Sequence, residues 1–91
     1  MDQIIHGEPL APRVKEVCPI GGYRLLLTFT NNEQRFFDAT PLLGLRVFAP
    51  LKSKHFFNQV HVAFGSVAWP RNIDYCPDTL YAESSPAGDP A

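Results

Sequence analysis

Cys76, Pro77 and Asp78 are the residues best placed for chemistry in this chain of 91. Proline suits a first helical position, so a short helix is expected to begin at Pro77. A thiol at a helix N-terminus has its thiolate stabilised and becomes more reactive. A cysteine nucleophile also needs a histidine base and an oxyanion site, which no local motif supplies. An ordinary buried or capping cysteine is the simpler reading. Asp74 and Asp78, four residues apart, could converge with Asp38 as a carboxylate cluster for metal binding or acid–base work. Acids in such places more often satisfy backbone donors at turns and helix starts, and that reading is preferred. His55, His61 and Cys76 are zinc-ligand types, but the six-residue gap fits no familiar spacing and no fourth ligand is evident. The expectation is a chain with no cofactor, no metal and no enzymatic activity.

A second kind of chemistry is recognition. Trp69, Arg71, Tyr75 and Tyr81 are residue types enriched at interface centres, and Asp74 and Asp78 lie among them. Trp69, Arg71, Asp74, Tyr75, Asp78 and Tyr81 are therefore the interaction candidates. Against this stands plain core packing, above all for Trp69, the only tryptophan of the chain.

The elements that must position these residues read as a small α+β fold. Val14 to Cys18 is a first strand, closed by Pro19 and Gly21-Gly22. Tyr23, Leu25, Leu27 and Phe29 alternate with Arg24, Leu26, Thr28 and Thr30, the period of two that puts four large apolar groups on one sheet face. Asn31-Asn32 suits a tight hairpin turn, and Gln34 to Asp38 returns as a third strand. Thr40-Pro41 to Gly44 allows one helical turn, and Ser53 caps another over Lys54 to Asn58. Gln59 to Phe64 alternates, with Val60, Val62 and Phe64 on one face and His61 on the other. Gly65-Ser66 then turns the chain, and Val67 to Trp69 returns. The result is an antiparallel or mixed sheet, a three-stranded meander plus a hairpin, with short helical turns near 41–44, 53–58 and 77–82. Residues 1–12 are expected as an extended arm, 13–83 as one domain, and 84–91, with Pro86, Gly88 and Pro90, as a disordered tail.

Composition limits the partners. At 45% hydrophobic and 19% charged residues the chain is globular in type. A net charge of -1 lacks the basic surplus usual in nucleic-acid binders. No apolar run approaches the roughly 20 residues of a membrane span, and Asp2 stands where a signal peptide would be basic, so a cytoplasmic location is expected. Cys18 and Cys76 are expected as reduced thiols. A chain this short leaves sheet edges to protect, which predicts a homodimer or higher homo-oligomer, with Ile4 and Ile5 of the arm against a neighbour or the sheet edge.

Phe29-Thr30-Asn31-Asn32-Glu33, Phe37-Asp38, Pro41-Leu42, Val60-His61-Val62 and the ending Trp69-Pro70, Ile73-Asp74, Pro77-Asp78, Leu80-Tyr81 resemble the bacterial family catalogued as domain of unknown function 2442. The likeness covers roughly residues 12 to 83. It implies a small α+β fold in proteins that stand alone, lie in toxin–antitoxin-like gene pairs, or precede a helix-turn-helix domain. It implies no enzymatic residues. Asn32 replaces a common glycine, and no helix-turn-helix segment follows, which weakens direct nucleic-acid binding. The leading expectation is a non-enzymatic protein-interaction module, the accessory or antitoxin-like partner of a second small bacterial protein. A small-ligand sensory or regulatory domain is the alternative, and a cysteine- or metal-dependent enzyme is a weaker one.

Overall fold

The computed structural model describes residues 11–87. Two antiparallel sheets form, each from consecutive hairpins. The first has β1 (Val14–Ile20), β2 (Arg24–Phe29) and β3 (Gln34–Asp38), with β7 (Ser85–Pro86) added last on the outer side of β3. The second is β4 (His61–Ala63), β5 (Ser66–Trp69) and β6 (Ile73–Asp74). Two 3₁₀ segments, Thr40–Gly44 and Arg46–Lys52, and two short helices, α1 (Lys54–Phe57) and α2 (Pro77–Glu83), complete the chain. This is the small α+β architecture that the strand pattern predicts.

The alternation in β2 builds the core: Leu25, Leu27 and Phe29 are fully buried. Tyr23 departs from the pattern. It belongs to the turn, at φ 59° next to Gly22 at 75°, and β2 begins at Arg24. Its hydroxyl donates to the Lys52 carbonyl and its ring meets Phe57 edge-on at 5.4 Å. Register then sets Phe37 beside Leu25 and Arg35 beside Leu27, so Arg35 faces inward with the core residues, toward the end of α2.

The segment after Gly44 is more ordered than its sequence suggests. Phe48 and Leu51, three apart, are both buried, as the three-residue period of a 3₁₀ helix requires. Ser53 then caps α1, accepting from the Phe56 amide.

The second hairpin turns one residue earlier than expected. Phe64 and Gly65 form the turn, at φ 52° and 76°, the pair of positive angles that a two-residue hairpin loop requires. Phe64 therefore does not join Val60 on a core face; it is 99% exposed at the tip. The chain end also differs from expectation. Ser84 is buried, and Ser85 and Pro86 pair with Phe36 and Arg35, so residues 84–87 belong to the fold rather than to a tail. The expected arm over residues 1–10, with Ile4 and Ile5, and residues 88–91 lie outside the described residues.

Candidate interaction surface

The six candidate residues separate into three groups. Trp69 is a core residue, 1% exposed, with its indole N–H donating to the Phe57 carbonyl at 2.9 Å. Tyr75 and Tyr81 are half-buried and their hydroxyls are used within the molecule. Tyr75 packs against Phe37 and Phe48 and donates to Glu83 Oε1 at 2.6 Å. Desolvation, then that carboxylate, push its pKa up to about 12. Tyr81 packs edge-on against Phe29 and donates to Glu33 Oε1 at 2.6 Å.

Tyr81 is part of a polar clasp that its own sequence neighbourhood does not announce. The Arg35 guanidinium lies 4.5 Å over the Tyr81 ring, pairs with Glu33 Oε2 at 2.6 Å, and donates to Ser84 Oγ and the Ser84 carbonyl at 2.6 and 2.7 Å. Hydrogen bonds from Tyr81, Asn31 and Arg35 hold the Glu33 carboxyl below its usual range. The clasp joins the β2–β3 hairpin to the end of α2. It is a structural feature, with every donor directed inward.

The carboxylates do not converge. Asp38 accepts from the Thr40 amide at 2.9 Å; the Thr40 hydroxyl first and that amide second lower its pKa. Asp78 pairs with Arg13 at 3.1 Å on the surface, rather than capping a backbone donor. Asp74 has no hydrogen-bond partner among the described residues. No three His, Cys, Asp or Glu side chains come together among those residues in a way that could hold a metal ion. Cys76 is exposed immediately before α2, and the Thr79 and Asp78 donors lower its thiol pKa. Among the described residues Cys76 has no histidine hydrogen-bonded to it.

What remains on the surface is Arg71, Asp74 and a groove of about 300 Å³ that both line, along the outer face of the second sheet. Its middle is a cross-strand row. His61 pairs with Ala68, and Ala68 with Asp74, so basic, small and acidic residues stand side by side on one face. Phe64 closes one end; Arg71 and Asn72, at φ 70° and 60°, close the other. His61 Nδ1 donates to the Gln59 carbonyl at 3.2 Å, leaving Nε2 turned to solvent. The Arg71 guanidinium lies 5.7 Å from the Phe56 ring.

Sequence reasoning found Arg71 and Asp74 but missed Phe64, His61 and Asn72 as parts of one surface. The signal for Phe64 was present. A Phe-Gly pair between two short alternating runs puts Gly at the second turn position and the phenylalanine at the tip.

A family model described as a protein of unknown function, DUF2442, matches residues 14–86. Among curated proteins none matches the chain. Among solved structures, the Nitrosomonas europaea protein named Putative DNA Binding Protein NE0471 superposes with a TM-score of 0.75 at 28% identity. The match covers 87% of this chain but only 52% of that one, so this chain spans about half the length of its structural relative.

Proposed function

The chain belongs to the DUF2442 family of proteins of unknown function, and we propose that within it this chain is a non-enzymatic protein-interaction module working through the outer face of its second sheet. One observation carries this reading. Phe64 is a large apolar residue, 99% exposed, held at a positive φ that costs a non-glycine residue about 1 kcal/mol or more. The turn requires the positive φ but not a phenylalanine at that position, so a partner that covers the ring accounts for the residue type and its exposure. The accessory or antitoxin-like role remains the specific form of this proposal, the partner being the product of a neighbouring small reading frame. Titrating that product into the purified chain by calorimetry is expected to give saturable binding that Phe64→Asn weakens at least tenfold. Binding that ignores Phe64→Asn would remove this face from the reading.

A second reading is favoured by NE0471, a protein of about twice this span whose name refers to DNA binding. In it, a domain of this kind is the regulatory half of a two-part protein, and the DNA contacts belong to the other half. The expected result is no salt-dependent shift in the anisotropy of labelled duplex DNA on adding this chain. A steep salt dependence would mean several phosphate contacts made by the domain itself.

A further inference from the structure

Resting on that reading of the Phe64 face, we infer that in the absence of the neighbouring gene's product the groove is occupied by a second copy of this chain, docked face to face about a two-fold axis running along β5, so that the two partners compete for one surface. The row His61, Ala68, Asp74 lies on three adjacent strands at about 4.8 Å spacing, which separates the histidine and carboxylate positions by roughly 10 Å. No hydrogen bond joins them within the chain, and Asp74 has no other hydrogen-bond partner among the described residues. Turning the row by 180° about the β5 direction exchanges its ends. His61 of each copy then faces the partner's Asp74, twice over, and Ala68 lies against the partner's Ala68.

The rest of the face agrees with this arrangement. Ala68, with only a methyl group above the sheet, allows the two backbones to approach. Phe64, at the turn joining β4 to β5, lies just beside the axis, so each ring is covered by the other and the exposed apolar tip is removed from water. Arg71 at the far end does not oppose its copy, because its guanidinium is drawn aside over Phe56. His61 Nδ1 already donates to the Gln59 carbonyl. Only Nε2 can meet the carboxylate, and it does so as a donor.

The face is its own complement in charge order, a property that an isologous interface requires and a surface for an unrelated protein does not. The outer face of the first sheet lacks it. There Cys18, Leu26 and Phe36 share a row with no charge at either end of the triplet.

The test is light scattering and sedimentation of the full chain across micromolar to submillimolar concentration. The expected mass moves from 10.2 kDa to twice that value. Phe64→Asn creates an Asn-Gly pair, the preferred sequence for this turn; it should raise or hold the melting temperature of the monomer while weakening association at least tenfold. His61→Asp and Asp74→His should each weaken it similarly, and the double exchange should restore it. Phe36→Thr should leave it unchanged. A monomer throughout, a dimer indifferent to the single variants, no recovery in the double exchange, or loss of the dimer in Phe36→Thr alone would each overturn the inference. A monomeric chain whose Phe64→Asn variant still lost the neighbouring gene's product would leave the module reading standing while this one fell.

Discussion

At the scale of single residues, two side chains of similar size have opposite roles. Trp69 is buried and its one polar atom is satisfied inside, whereas Phe64, with no polar atom, is wholly exposed. Between these extremes are three ionisable residues, Glu33 of the clasp, Asp38 and Tyr75, that shape how stability depends on pH. Glu33 and Asp38 have folded pKa values below their ordinary ones. Their contribution is therefore complete above the unfolded carboxylate range, about 4, and is lost as pH falls through the depressed values. Tyr75, raised to about 12, behaves oppositely. Its contribution is complete below the unfolded tyrosine value of about 10 and is lost as pH rises through 12. Urea midpoints should fall as pH drops below the acid limit and as it rises through the alkaline one. Glu33→Gln should flatten the acid fall, and Tyr75→Phe the alkaline one. An acid limb identical in Glu33→Gln and wild type would remove Glu33 from this account.

Among the elements, length decided what the sequence could reveal. β2 was legible because its six residues alternate, and β1, β3 and the hairpin of β4 and β5 because turn residues such as Gly21-Gly22, Asn31-Asn32 and Gly65 punctuate their apolar runs. Strands of two residues, Ile73–Asp74 and Ser85–Pro86, contain no alternation to read. The 3₁₀ segment Arg46–Lys52 was hidden for a related reason: Pro50 inside it argues against an α-helix, and an i to i+3 apolar pair is common in loops. Of the candidate surface, the residues near β6 were found because the Trp69 to Tyr81 stretch is rich in chemistry. Phe64 and His61 were not, because an alternating run ending in phenylalanine reads as core until the turn is placed one residue earlier. The buried part of that stretch supports a prediction of its own. In Trp69→Phe the Phe57 carbonyl loses the indole donor but keeps the Val60 amide at 3.2 Å. The cost should be about 1 to 2 kcal/mol, from one hydrogen bond and unfilled volume rather than an orphaned carbonyl. Urea unfolding measures it, and a loss above about 4 kcal/mol would mean that the indole does more than this.

For the molecule as a whole, Arg13 is the point where the parts meet. Its carbonyl accepts from the Thr30 amide at 2.8 Å, beside β2. The next amide, of Val14, donates to the Gly65 carbonyl at 2.8 Å, at the second sheet, and its guanidinium reaches Asp78 on α2. The approach to Gly65 is tight. A Cβ there would stand 3.0 Å from Arg13 Cδ, on a backbone at φ +76°. Gly65→Ala should therefore destabilise the chain by about 1 to 2 kcal/mol, as read from its melting temperature, with Arg13→Gly in the same background recovering the steric part alone. Full recovery would assign the whole effect to crowding and none to backbone angle.

The clasp also has a consequence in time. Arg35 and Ser84 are 49 residues apart in the chain, whereas β1, β2 and β3 find their partners across turns of a few residues. As the chain leaves the ribosome the meander can pair at once, yet the outer edge of β3 must wait for the whole of the second sheet and α2 before Ser85 and Pro86 arrive. Throughout that interval Gln34 to Phe36 present an unpaired edge next to a partly exposed phenylalanine, the feature through which nascent chains associate with one another. Ser85 and Pro86 thus act as a seal, closing an edge that stays open until the second sheet and α2 have been made.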